Sequence, residues 1–424
     1  SEDDSATMLP LLLLSATAQA ANAPPPPPRD RWTPLRTLLD GWEFTSNYAV
    51  VVGDATGRQF LYEGGHFTVD TLVPTGSTSK WPSAMMFAGL VNDGTISSLD
   101  DPISRYLSWW TTNASDPRST VTLRMLLSFT SGFGSGHPGQ EGNTRAAREW
   151  RASKAHPRVL SLRESLLKDG AVQAATKCNT TTGDITECAR SIYDTVQLIG
   201  TPGKVYSYNS NHLQIAAALA VAATGLDIKA VIRKYLLLPY GMRSSWYDGE
   251  CPDFGGSLVT NGADYERFLA GTLTYNVLSR QIVDASERDN TPFMADDYAL
   301  YGDYGFGHFL MCFDSWEGFT PACKEARCHM DPGAFGFIPI IDRKHGYYVQ
   351  VVAAEIGTTG SYPLSGIPEY LALAIKPHVD AIMAPAASRP DAGSHLHYTP
   401  RFMSLGVADV NYCLNCVQHP DQCD

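Results

Sequence analysis

The stretch Trp81 to Val91 reads Trp-Pro-Ser-Ala-Met-Met-Phe-Ala-Gly-Leu-Val. A helix that is apolar around its whole circumference must be enclosed on every side, so this segment predicts a central helix and not a surface one. It follows Pro74-Thr-Gly-Ser-Thr-Ser-Lys80 without a break. A Thr-Gly turn just before a buried helix sets the hydroxyl of Ser77 at a rigid helix start, pointing out into a cleft. Lys80, three residues on, shares that face and reaches the hydroxyl. A lysine so placed can take the serine proton, which makes a serine nucleophilic without histidine.

The same spacing recurs at Ser165-Leu-Leu-Lys168, inside an ordinary amphipathic pattern, so context has to separate the two. Downstream of Lys80 come Asn92-Asp-Gly-Thr-Ile-Ser-Ser-Leu-Asp-Asp-Pro-Ile-Ser-Arg-Tyr-Leu107 and Val121-Thr-Leu-Arg-Met-Leu-Leu-Ser-Phe-Thr-Ser-Gly-Phe133. Pro202-Gly-Lys-Val-Tyr-Ser-Tyr-Asn-Ser210 follows and runs into an apolar stretch ending at Ala223-Thr-Gly225. Then come Pro239-Tyr-Gly-Met242, Gly255-Gly-Ser-Leu-Val259, Asp264-Tyr-Glu-Arg-Phe-Leu269 and Gly333-Ala-Phe-Gly-Phe337. This order resembles the serine beta-lactamase-related family of class C beta-lactamases, D-alanyl-D-alanine peptidases and esterases, over roughly residues 45 to 380.

The resemblance implies an α/β (α+β) fold of the beta-lactamase/transpeptidase type, an antiparallel sheet lobe flanked by helices with a mainly helical lobe inserted. The residues read compatibly. Tyr48 to Asp54 and Gln59 to Tyr62 form a strand pair across a turn, and 334–342 with 347–355 repeat the pattern across Asp342-Arg-Lys-His-Gly346. A helical stretch, Tyr370 to Met383, follows, so the two ends of the domain supply one sheet with helices on it. Residues between about 80 and 300 read as mostly helix and loop.

In the resembled family the lysine of the first motif and a tyrosine of the second together take the serine proton and later deliver it to the leaving group. The match gives these roles to Lys80 and Tyr208. A tyrosine with the ordinary pKa of about 10 can act so only beside positive charge, here Lys80, or by concerted proton passage. Two positions on, the family usually carries an asparagine that holds the substrate's acyl side chain; this chain has Ser210, flanked by Asn209 and Asn211. The family's third motif is Lys or His, one residue, then Gly. Aligning that Gly with Gly333 puts Asp331 at the cation's position and makes Ala334 the second oxyanion-hole amide beside that of Ser77. His329 is the alternative for the cationic role. The substrate-binding set is therefore Ser210, Asp331, Gly333 and Asn209.

A chain of 424 residues with 44% hydrophobic and 18% charged residues has the makings of a large core. Its formal net charge of −12 and its lack of basic runs exclude nucleic acid as the main partner. Residues 1–23 read as a signal peptide, with an apolar core before Ala18-Gln-Ala20 that is too short to span a bilayer, so no stable membrane insertion is expected. Residues 24–30 are a Pro-rich linker, 31–384 the catalytic domain and 385–424 a Cys-containing tail. Nine cysteines in an exported chain suggest disulfides: Cys178 with Cys188, and Cys323 with Cys328 or Cys312. The tail residues Cys413, Cys416, His419 and Cys423 have zinc-ligand chemistry, as His395 and His397 do more weakly, but export favours disulfides and no metal is expected. Asn113-Ala-Ser and Asn179-Thr-Thr have the form of glycosylation acceptors. No Gly-x-Ser-x-Gly elbow, His-Glu-x-x-His, phosphate loop or dinucleotide fingerprint is present, and no cofactor is expected.

Together these readings point to a secreted serine hydrolase with an acyl-enzyme on Ser77, acting on a small ester or amide. Uncharged esters are preferred, because an ionised Asp331 in the cleft would repel the carboxylate of a beta-lactam or D-alanyl peptide. The alternatives are beta-lactamase or D-Ala-D-Ala carboxypeptidase activity, or a catalytically silent binding protein. The sequence sets no oligomeric state.

Overall fold

The computed structural model describes residues 30–136, 178, 180–294, 303–311, 325, 327–355 and 366–384, with the short pairs 358–359 and 362–363. The leader, most of the linker, the Ser165 and Lys168 tetrad, Asn179, Cys312, Cys323 and the tail lie outside these residues.

The strands are β1 (Tyr48–Asp54), β2 (Gly57–Glu63), β3 (Val73–Pro74), β4 (Trp246–Tyr247), β5 (Leu258–Thr260), β6 (Asp303–Tyr304), β7 (Phe309–Leu310), β8 (Cys328–Met330), β9 (Ile338–Asp342) and β10 (Tyr347–Ala353). Seven of them form an antiparallel sheet in the order β2-β1-β10-β9-β8-β7-β6, and β3-β5-β4 form a small second sheet. The helices are α1 (Thr33–Asp40), α2 (Lys80–Asn92), α3 (Leu123–Leu127), α4 (Ile185–Thr195), α5 (Asn211–Thr224), α6 (Gly262–Leu273), α7 (Arg280–Ser286) and α8 (Gly366–Met383), with a bent helical stretch over 228–240 between α5 and α6.

Tyr48 pairs with Ala353 and Asp54 with Tyr347, so the first and last long strands lie side by side, just inside the β2 edge of the sheet. Every residue of β10 is buried, as a strand covered on both faces must be. Alternation along it assigns the covers. The Tyr348 hydroxyl donates to Glu266 and the Gln350 side chain to the Gly262 carbonyl, both on α6, whereas the Tyr347 hydroxyl donates to Asp380 on α8.

This is the mixed fold expected, with two local differences. Residues 334–337 form a turn between β8 and β9 and not the start of a strand, because the Gly336 N–H bonds the Gly333 carbonyl and Gly333 N–H the Phe337 carbonyl. The small sheet adds strands to the region read as helix and loop. Its function is positional: β3 pairs with β5 and leads straight into the turn that carries Ser77.

Helix α2 is enclosed as its composition requires, with every residue from Lys80 to Leu90 buried. Pro82 is tolerated because it stands in the first turn, where its missing N–H would have no partner within the helix. Helix α5 ends at Gly225, whose φ of 68° takes the left-handed position that closes a helix cheaply.

Candidate active site

Ser77 sits in a short 3₁₀ turn, Gly76–Ser79, that runs directly into α2. Lys80 Nζ lies 3.1 Å from Ser77 Oγ and donates to the Gly255 carbonyl at 2.7 Å. Lys80 is completely buried, and its ammonium stands 4.6 Å from the centroid of the Tyr208 ring. Ser77, Lys80 and Tyr208 therefore meet, although they come from the 3₁₀ turn, the start of α2 and the loop before α5. The Tyr208 ring is held by Phe309, stacked at 5.8 Å, and by Phe129 at 5.9 Å.

The turn after β8 closes on this group from the other side. Gly76 has φ 59°, and a Cβ there would come 3.3 Å from the Ala334 amide nitrogen, which locates that amide against the Ser77 turn. Gly333 packs more closely still: a Cβ on it would sit 2.0 Å from the Thr75 carbonyl and 2.5 Å from Thr78 Oγ1. Only glycine lets the two segments touch here. Its place in the site is thus a backbone contact with the Ser77 turn. Thr78 Oγ1 makes the contact polar, bonding the Asp331 carbonyl at 2.7 Å and the Phe337 carbonyl at 2.8 Å.

Asp331 departs from its expected role. It does not face the cleft as a charge but is fully buried beneath the start of α2, where Oδ2 accepts the Trp81 N–H at 3.0 Å. Burial pushes its carboxyl well above the ordinary carboxylate range, against the opposing pull of Lys80 and of the Trp81 amide. His329 does not supply the cation either. It is buried with its Nδ1 3.3 Å from His308 Nε2 and its Nε2 3.4 Å from Glu287 Oε2, and desolvation holds its pKa well below the usual histidine value.

Asn209 is also turned away from a substrate role. Its amide donates to the Phe133 carbonyl and to Ser207 Oγ, and its Oδ1 accepts the Asn211 N–H. Asn211 in turn donates to the Gly134 carbonyl. Ser210 is buried beside Gly255, where a Cβ would fall 2.2 Å from the serine Oγ, and that oxygen has no hydrogen-bond partner among the described residues.

Two supporting elements escaped the sequence reading. His212, in the first turn of α5, bonds Ser131 Oγ and the Ser207 carbonyl and stacks on Phe129 at 5.0 Å. Burial lowers its pKa to about 4, so the neutral ring braces the loop carrying Tyr208. Gly255, the acceptor for Lys80, stands in sequence only as the start of Gly255-Gly-Ser-Leu-Val259; nothing in sequence announces a carbonyl as a partner.

Outside the site, Cys178 and Cys188 form the expected disulfide, and Cys328 is a buried free thiol. Asp342, His345 and Asp380 converge as metal ligands would, but Lys376 Nζ lies among them, 2.8 Å from Asp342 and 2.7 Å from Asp380. Among the described residues no single helix is long and apolar enough to cross a membrane.

A family model described as Beta-lactamase matches residues 42–337. No curated protein matches the chain. Among solved structures, a candidate beta-lactamase from Bacteroides dorei is similar at 23% identity and TM-score 0.60, covering 83% of this chain and 98% of its own. Simvastatin synthase from Aspergillus terreus, as its LovD9 mutant, is similar at 17% identity and TM-score 0.55, with 83% and 98% covered. EstCE1, a hydrolase with promiscuous acyltransferase activity, is similar at 15% identity and TM-score 0.57, with 81% and 97% covered.

Proposed function

We infer that this chain, which belongs to the beta-lactamase family, is a serine hydrolase that forms its acyl-enzyme on Ser77 and prefers small uncharged esters. The observation that carries the reading is the buried contact of Lys80 Nζ with Ser77 Oγ at 3.1 Å. In the attacking form the neutral amine accepts the serine proton, Oγ bonds to the ester carbonyl carbon, and the negative charge moves to the carbonyl oxygen. The amides of Ser77 and Ala334 stabilise that oxyanion, a contribution that needs no particular side chain. Tyr208, beside Lys80, relays the proton to the departing alkoxide, and water then repeats the sequence to release the acid.

Substrate preference follows from what stands at the third motif. A beta-lactam or D-alanyl peptide brings a carboxylate that needs a cation, and both positions open to one, 331 and 329, hold buried side chains turned elsewhere. Preference for esters thus rests on a missing attraction and not on repulsion by Asp331. The Cys178–Cys188 disulfide supports export to an oxidising compartment.

The test compares kcat/KM for p-nitrophenyl butyrate, a chromogenic cephalosporin and a D-Ala-D-Ala peptide, with Ser77→Ala as control. Ester turnover that is lost in Ser77→Ala is expected. Cephalosporin turnover exceeding ester turnover would overturn the preference, and unchanged activity in Ser77→Ala would overturn the nucleophile.

A further inference from the structure

Helix α2 starts without a cap of its own. The Ser79 side chain bonds the Gly76 carbonyl and makes no capping bond to the helix. A first-turn amide buried in a protein interior needs an acceptor, because leaving it unpaired forfeits the full cost of its desolvation. Trp81 itself is completely buried, and the acceptor for its N–H is Asp331 Oδ2, from the far end of the domain. Asp331 also stands three residues before Ala334, in the segment whose carbonyls at 331 and 337 are tied to Thr78 Oγ1. Two tethers, one through the Asp331 side chain and one through Thr78, thus join the oxyanion turn to the turn that holds the nucleophile.

We propose that Asp331 is a positioning residue: seated on the Trp81 amide, it caps the nucleophile helix from the oxyanion turn and so sets the Ala334 amide in register with Ser77. This rests on the reading of Ser77 as nucleophile given above. It replaces a charge aimed at substrate with a mechanical link between the two halves of the oxyanion hole. The chemistry at the position fits. Oδ1 has no hydrogen-bond partner among the described residues, so a carboxamide, which keeps one carbonyl oxygen for Trp81, can do the same work.

The test uses the full chain with Asp331→Asn, Asp331→Leu and Thr78→Val. Wild type is first labelled with a fluorophosphonate; failure of Ser77 to label defeats the nucleophile reading and not this one. With labelling established, Asp331→Leu, alike in branched shape but with methyls in place of the oxygens and so without an acceptor, is expected to lower kcat by about 100-fold, the scale of an ångström-sized misplacement, while KM changes little. Asp331→Asn is expected to restore kcat to within about threefold of wild type with the same pH profile, which a loss of general stability would not predict. Thr78→Val, which cuts the second tether, is expected to lower kcat in the same manner, and it serves if Asp331→Leu fails to fold. Equal kcat in Asp331→Leu and wild type overturns the proposal. So does an Asp331→Asn enzyme as impaired as Asp331→Leu, or one whose pH profile is displaced, since either means that the carboxylate charge acts on Lys80.

Discussion

Replacing Lys80 by methionine isolates the proton transfer from almost everything else. The side chain is wholly enclosed, and its polar contacts among those described include Ser77 Oγ at 3.1 Å and the Gly255 carbonyl at 2.7 Å. Methionine follows the same path with nearly the same volume but can neither accept a proton nor donate one. A positioned base is worth roughly 10²–10⁴-fold. In the mechanism proposed above Lys80 also activates the phenol of Tyr208, whose ring lies 4.6 Å away, so the upper part of that range applies. Acylation should fall by about 10³–10⁴-fold, equivalent to about 4–5.5 kcal/mol of barrier. Stability moves much less, because two terms oppose. The Gly255 carbonyl loses its donor at a cost of about 1–3 kcal/mol, while removal of a buried ammonium relieves a desolvation penalty of comparable size. The assay is the pre-steady-state burst of p-nitrophenol together with the rate of fluorophosphonate labelling, each beside a thermal melt. A variant that melts normally and acylates within tenfold of wild type would refute the reasoning, since another group must then accept the serine proton.

Tyr208→Phe keeps the packing against Phe309 and Phe129 and should fold, but with kcat lowered about 10²-fold or more; unchanged turnover would remove the tyrosine from the proton path. Asn209→Ala strands the Phe133 carbonyl and the Asn211 amide, so it should cost about 1–3 kcal/mol in urea unfolding while leaving the ratio of ester to cephalosporin rates alone. A changed ratio would return Asn209 to the substrate. For pH, Asp342 is pushed up by burial but pulled down further by Lys376, to a folded pKa below its ordinary value. Its contribution to stability is present above the unfolded pKa and lost as pH falls through the folded one, a window below about pH 4. Lys376→Met should shrink that part of the acid slope, leaving the smaller share due to the His345 hydrogen bonds, and parallel unfolding curves for the two proteins would contradict the assignment.

The elements legible in the sequence were those whose signal is local. An unbroken apolar run announced α2, paired β-rich segments announced β1, β2 and β10, and the Ser77 and Lys80 spacing needed only one helical turn to be read. Strands of two or three residues, such as β3 to β8, carry no periodicity of their own and exist because a neighbour offers hydrogen bonds. The same limit governs the third motif. Motif order could place Asp331 near the cleft, but which way its side chain turns depends on the orphan amide of Trp81, 250 positions earlier in the chain. Asn209 looked like a ligand-binding amide for the same reason: sequence shows the donor and hides the Phe133 carbonyl that claims it.

The pairing of β1 with β10 has a consequence for how the chain comes into being. The turn bearing Ser77 is translated well before β10, Asp331 and Ala334, all of which lie beyond residue 330. Such long loops must close before any of these contacts is rewarded, which slows folding and prolongs the exposure of apolar segments like α2. A ribosome-bound chain halted before Tyr347 therefore presents Ser77 and Lys80 without β10 beside β1. If Ser77 is the nucleophile proposed above, nascent chains arrested on either side of β10 should differ sharply in labelling by a fluorophosphonate.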